Sequence, residues 1–183
     1  MRVLLSESAD KKTQELYDAP KEEVLKAIEQ DIHCHEVIPM IDSSIQLRIY
    51  FDVDILKKDP TEVLEAALRK INEVLKTTDD EWAVSDGSRE TEKGYKCSFH
   101  ILSKYHTLSL RELRNIAERI NMPLKYVDPT VYWFQGNDRR EQGFFRFPNQ
   151  SKTSIQKEGT PMKIIRGELK DFLITDTEYL TNL

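Results

Sequence analysis

Tyr50-Phe51-Asp52-Val53-Asp54 is the stretch that decides how this chain folds. Apolar and polar residues alternate from Leu47 to Val53, which is typical of a β-strand with one buried face. Because residues two apart on a strand point the same way, Asp52 and Asp54 are predicted to lie side by side on the other face. Two adjacent carboxylates repel each other, and a hard divalent cation would relieve that repulsion.

Length and composition predict one globular domain that spans residues 1–183. The chain has 183 residues, 39% of them hydrophobic, and contains 6 Gly and 7 Pro. It has no run of about 18 apolar residues, and its first residues turn polar too soon for a secretory signal. An intracellular protein is therefore expected, with cytoplasm and nucleus left open.

The charge balance argues against one class of nucleic-acid-binding protein. A net charge of −5 does not suit a protein that holds duplex DNA on a broad basic surface. A local basic cleft remains compatible with it, because basic residues cluster within one segment that also carries three phenylalanines. The basic residues are Arg139, Arg140, Arg146, Lys152 and Lys157, and the aromatic ones are Phe144, Phe145 and Phe147.

Capping signals and periodicity predict three helices among several strands. Asp18-Ala19-Pro20 opens a predicted helix to about Ile32, while Asp59-Pro60-Thr61-Glu62 and Ser109-Leu110-Arg111-Glu112 cap two more. Strands are predicted at 47–54, 82–86, 95–101, 128–134 and 144–147, with loops at 86–94, 135–143 and 151–160. This order predicts an α+β fold, with helices on one face of a sheet and polar residues on the other.

A second polar set follows the same strand logic as the two aspartates. Lys96, Ser98 and His100 alternate with apolar residues and should share one strand face. If the two strands are neighbours, carboxylates that bind a cation would face an ammonium, a hydroxyl and an imidazole, as a nucleoside triphosphate requires. Each motif alone also fits an ordinary polar strand face, and His100 alone fits a structural histidine.

Four separated motifs, in order, resemble those of the archaeo-eukaryotic primase superfamily. Arg48-Ile49-Tyr50-Phe51-Asp52-Val53-Asp54 resembles its first motif, and Lys96-Cys97-Ser98-Phe99-His100-Ile101 resembles its second. Val127-Asp128-Pro129 resembles the third. Phe145-Arg146-Phe147-Pro148-Asn149-Gln150-Ser151-Lys152 is similar to the segment that follows in primase-polymerases and in primases of large DNA viruses.

The resemblance implies a DNA primase or primase-polymerase core, a nucleotidyltransferase of DNA replication in which an RRM-like antiparallel or mixed sheet carries the site. It implies that Asp52, Asp54 and Asp128 are catalytic and hold two Mg²⁺ or Mn²⁺ ions. It implies that the nucleotide is bound by Lys96, Ser98, His100, Arg146 and Lys152. Single-stranded DNA would be the template, and NTPs or dNTPs would be the substrates. The resemblance also implies a helicase module or replication protein as a partner, and a chain that is one domain of a longer primase-helicase.

The chain also departs from the pattern of that family. No Cys/His cluster of zinc-ligand spacing occurs, so no zinc is expected. Gly143 stands where many primase-polymerases carry an arginine, a contact that Arg139 or Arg140 could supply. A P-loop pattern is lacking, so a helicase module is not expected within these residues.

Two other functions fit part of the pattern. Nucleotide-sugar transferases also use Asp-x-Asp to hold a metal on a diphosphate, but they give no role to Ser98, His100 or Asp128. A non-catalytic RRM-like domain would bind single strands through exposed aromatics. The sequence further favours Arg89 as a solvated loop charge over a phosphate contact, and assigns no metal site to His33-Cys34-His35.

Overall fold

The chain folds as an α+β protein in the computed structural model, which describes residues 1–6, 14–30, 32, 34–40, 42–132, 142–150 and 161–183. The strands within these residues are β1 (Arg2–Ser6), β2 (Gln14–Asp18), β3 (Cys34–Pro39), β4 (Gln46–Leu56), β5 (Trp82–Asp86), β6 (Arg89–Thr91), β7 (Gly94–Ser109), β8 (Gln142–Arg146), β9 (Lys163–Arg166) and β10 (Thr181–Asn182). The α-helices are α1 (Lys21–Glu29), α2 (Pro60–Leu75) and α3 (Leu110–Ile120).

The strands form two sheets. The small sheet has the antiparallel order β2-β1-β3-β8. The large sheet is organised around the long strand β7, which pairs antiparallel with β4, β5 and β6, while β9 extends it beyond β5. The short β10 pairs with β7 in parallel. The predicted α+β class is confirmed, and the strands of the described residues form two sheets rather than the one sheet that the prediction described.

One face of the large sheet is covered by α2 and α3. Leu47, Ile49, Phe51 and Val53 are completely buried in the main core, as their alternation along β4 predicts. The Asp59 side chain caps α2 by accepting hydrogen bonds from the backbone N–H groups of Thr61 and Glu62. Ser109 and Glu112 form the predicted capping box at the start of α3.

The small sheet is tied to the large one by buried polar groups. Glu36 on β3 is fully buried and accepts hydrogen bonds from the backbone N–H groups of Ile174 and Thr175, each at 2.7 Å. Arg48 on β4 donates to the carbonyl oxygen of Leu173 at 2.9 Å. These bonds hold the segment around Leu173 between β3 of the small sheet and β4 of the large one.

Three predicted elements differ from the structure. The helix expected to run to Ile32 ends at Glu29, because the chain turns there to enter β3. The strand expected from Asp128 is a 3₁₀ turn, Pro129–Tyr132. The loop predicted for 86–94 contains β6, whose three polar residues carry no periodic signal. No described helix combines the length and the apolar character that a membrane crossing needs.

Candidate active site

A cleft of about 420 Å³ opens where β8 of the small sheet lies beside β4 and β7 of the large sheet. Its position follows from the fold, since the polar residues of β4 and β7 face away from the helices. The lining residues are His35, Ile38, Met40, Tyr50, Asp52, Asp54, Arg89, Lys96, Ser98, His100, Thr130, Val131, Gly143, Phe144, Phe145 and Arg146.

The two aspartates of β4 lie directly opposite the polar residues of β7. The antiparallel register pairs Asp52 with His100 and Asp54 with Ser98. Lys96 reaches across the strand pair, and its Nζ lies 2.7 Å from Oδ2 of Asp54. Side chains opposite each other in a sheet are close neighbours, so the two sequence motifs form one constellation.

Asp128 joins this constellation from a loop rather than from a strand. Its backbone N–H donates to the carbonyl oxygen of Asp52 at 2.7 Å. Its Oδ1 accepts hydrogen bonds from the backbone N–H and the hydroxyl of Thr130, at 3.0 and 2.9 Å, which holds the turn after Val127. The loop therefore brings a third carboxylate close to Asp52.

Asp52 experiences the strongest effect of this crowding. Burial, the largest cause, and the negative charges of Asp54 and Asp128 together raise the pKa of Asp52 from 3.8 to about 7. The opposing charges of Lys96 and Arg146 do not compensate. A carboxyl whose pKa is raised this strongly by burial and by neighbouring charges is a candidate functional group.

His100 is held as a neutral imidazole. Burial is the main cause that lowers its pKa to about 3, and the positive charge of Arg146 adds to the effect. Its Nε2 lies 4.0 Å from Oδ1 of Asp52, and its ring stacks on Phe145 with centroids 4.2 Å apart. A hydrogen bond with the backbone of Arg146 opposes this shift only in part. A neutral imidazole has one N–H, so the ring donates a single hydrogen bond at neutral pH and carries no charge.

Several buried polar atoms around the cleft lack a hydrogen-bond partner among the described residues. They include Oη of Tyr50, Oδ1 of Asp54 and Nδ1 of His100. Buried polar atoms in folded proteins are nearly always paired, so each exception calls for an explanation. The grouping of these three at one cleft indicates a place where a ligand or a cation supplies the missing partners.

The donor set fits Mg²⁺ or Mn²⁺, although the described residues contain no group of three His, Cys, Asp or Glu side chains arranged to hold a metal. The carboxylates of Asp52 and Asp54 are hard oxygen ligands, and Oδ1 of Asp54 is buried without a partner. Mg²⁺ is commonly bound by one or two carboxylates while substrate phosphates complete its shell. The site therefore fits a cation that arrives together with a polyphosphate.

Cationic side chains occupy the other part of the cleft. Arg146 lies on β8, opposite His35 of β3, and Arg89 lies on β6, opposite Lys96. Burial lowers the pKa of Arg146, and the charge of Arg89 lowers it further. Arg89 is thus a cleft residue on a strand and not the loop charge that the sequence favoured.

The aromatic segment divides as strand alternation requires. Phe145 is 5% exposed and Phe147 is fully buried, whereas Phe144 is 54% exposed and lines the cleft. The stacking of Phe145 on His100 was missed by sequence reasoning, since only the pairing of β8 with β3 brings the two rings together. Of the other residues considered from the sequence, Lys152, Lys157, Arg139, Arg140 and His33 lie outside the described residues.

No protein-family model matches this chain, and a search of curated proteins finds no significant match. What the cleft does chemically is therefore inferred from its own residues and from the motifs that they form.

Proposed function

We propose that this chain is the catalytic core of a template-directed nucleotidyltransferase, a DNA primase or primase-polymerase of the archaeo-eukaryotic type. The observation that carries the proposal is the register of β4 against β7, which sets Asp52 opposite His100 and Asp54 opposite Ser98. Carboxylates beside a lysine, a hydroxyl and a neutral imidazole suit a metal-bound triphosphate. The RRM-like sheet of that family would correspond to β4, β7, β5 and β9, with α2 and α3 behind them.

Each side chain has a distinct role in this proposal. Asp52, Asp54 and Asp128 would hold divalent cations, while Lys96, Ser98, His100 and Arg146 would bind the phosphates of an NTP or dNTP. When bound, Mg²⁺ or Mn²⁺ would neutralise phosphate oxygens and increase the acidity of the attacking 3′-hydroxyl.

Phosphoryl transfer requires positioning and charge neutralisation more than a protein nucleophile. The neutral ring of His100 can donate to a phosphate oxygen without repelling the cations held beside it. Lys96 is already oriented by its bond to Asp54, so little side-chain ordering remains to be done when the nucleotide binds. Lys152 would extend this set from the segment after β8.

The direct test is primer synthesis on unprimed single-stranded DNA with labelled NTPs or dNTPs and either Mg²⁺ or Mn²⁺. We expect metal-dependent products from the wild type and none from the Asp52→Asn/Asp54→Asn double variant. Glu65→Gln is the matched control, because Glu65 is an exposed carboxylate on α2, away from the cleft. It should retain full activity.

Other outcomes separate this function from its rivals. Extension of a supplied primer without synthesis on unprimed template would identify a polymerase core that needs another domain to initiate. Metal-independent binding of single strands, with no synthesis in either assay, would replace the proposal with a non-catalytic binding domain. Stabilisation by sugar nucleotides but not by triphosphates would favour a nucleotide-sugar transferase.

A further inference from the structure

Arg89 is the cleft residue that the motifs leave without a role. It lies on β6 opposite Lys96 of β7, is half-buried, and lines the cleft beside Arg146. Its Nη1 donates to the carbonyl oxygen of Gly87 at 3.0 Å, and this bond fixes where the guanidinium lies. Its side chain is thereby directed into the site rather than left to move in solvent.

The cations at this end of the cleft are crowded. Lys96 forms an ion pair with Asp54, but within the described part of the chain no carboxylate forms an ion pair with Arg89 or Arg146. Arg89 lies opposite the cation of Lys96 within the large sheet, where opposed like charges are destabilising. Its charge also disfavours the charged form of Arg146 on β8 of the small sheet. An anion bound between the two guanidinium groups would convert this repulsion into attraction.

The position of Arg89 along the sheet indicates which part of a ligand it would meet. Asp52 lies opposite His100, whereas Arg89 lies opposite Lys96, four residues away along β7. At about 3.4 Å per residue, the two backbone positions are roughly 14 Å apart, a gap that the long Arg89 side chain can partly span. If the inner phosphate of a polyphosphate lies at the aspartates and its chain runs along β7 toward Lys96, its outer phosphates approach Arg89.

We propose that Arg89 binds the phosphates farthest from the sugar and so makes the site selective for nucleoside triphosphates over monophosphates. This inference rests on the proposed function, because it takes the ligand of the cleft to be a nucleotide. The guanidinium would form a forked, charge-assisted contact, which a lysine cannot reproduce in full.

Isothermal titration calorimetry in Mg²⁺ can test the role of Arg89 with ATP, AMP and inorganic tripolyphosphate as probes. Arg89→Ala should weaken the binding of ATP and tripolyphosphate by about 10-fold or more, while AMP binding changes less than about twofold. Arg89→Lys should bind ATP and tripolyphosphate with affinities between those of the wild type and Arg89→Ala. Lys93→Ala removes an exposed charge from the turn of the same hairpin and should leave all three affinities unchanged.

The possible failures are distinguishable. If the wild type binds ATP but Arg89→Ala binds it equally well, the role of Arg89 is wrong and the proposed function stands. Equal weakening of ATP and AMP would also overturn the inference, because the contact would then not involve the outer phosphates. If the wild type shows no Mg²⁺-dependent binding of ATP or tripolyphosphate, both proposals fail. Thermal unfolding of each variant checks the fold, and Arg89→Lys retains the charge if the alanine variant is unstable.

Discussion

Replacing Asp52 by Asn should stabilise the protein at neutral and alkaline pH. The pKa of Asp52 is raised from 3.8 to about 7 in the folded state, so ionisation costs more in the folded chain than in the unfolded one. The contribution of protonated Asp52 to the free energy of unfolding is therefore fully present below about pH 4, and it is lost as the pH rises toward 7. At about 1.4 kcal/mol per tenfold change in proton affinity, the loss is at most roughly 4 kcal/mol.

For Asp52→Asn at pH 8 we expect the free energy of unfolding to rise by about 2 kcal/mol, which is less than the upper limit. A fifth of the Asp52 side chain remains exposed to solvent, and the amide must also be desolvated. For a chain of this size that gain raises Tm by roughly 4–8 °C. Urea unfolding of both proteins in EDTA at pH 4, 5.5 and 8 measures the difference, which should grow with pH. Glu65→Gln should show no such growth. A variant no more stable than the wild type at pH 8, or a gain that persists undiminished at pH 4, would refute the reasoning.

Two further predictions concern the cleft. His100→Ala should raise the KM for nucleotide about tenfold with a smaller effect on kcat, and unchanged kinetics would remove the ring from the site. In the wild type, NMR should show no titration of the His100 ring between pH 5 and 8, because its pKa is lowered to about 3. Gly143→Ala should cost at most about 1 kcal/mol of unfolding free energy, because the added Cβ would collide with the terminal methyl group of Met40, which lies at the end of a flexible side chain and can move. Met40→Ala should relieve that cost in a double-mutant cycle measured by chemical unfolding, whereas additive effects would show that the two side chains do not clash.

The sequence predicts those features that depend on local or strictly periodic signals. The burial of β4 follows from its alternation, and α2 and α3 begin at Asp59 and Ser109 because caps act over three or four residues. The sequence could not predict that β4 and β7 are adjacent strands, because strand order depends on contacts between residues far apart in the chain. The short polar strand β6 has no period to detect, so the placement of Arg89 could not be foreseen.

The second sheet shows the same limit at a larger scale. Phe145 follows a strand pattern, but nothing within its own segment indicates that β8 pairs with β3 and covers the cleft. The motif singled out Asp128, and the structure places it beside Asp52. The strand expected there is wrong, because Pro129 begins a 3₁₀ turn and the carboxylate is presented from a loop. Chemistry-bearing residues are thus easier to find than the elements that carry them.

The cleft is destabilised in two opposite ways at once. The charges of two carboxylates, Asp54 and Asp128, oppose the ionisation of Asp52, and two guanidinium groups oppose each other beside them. The carboxylates and the guanidinium groups do not fully neutralise each other, because they are held on different elements of the fold. The ion pair between Lys96 and Asp54 compensates only part of the charge. A cation alone would relieve only the first repulsion and an anion alone only the second. A polyphosphate that carries its own divalent cation would relieve both, which is the reason for proposing this ligand in preference to either ion by itself.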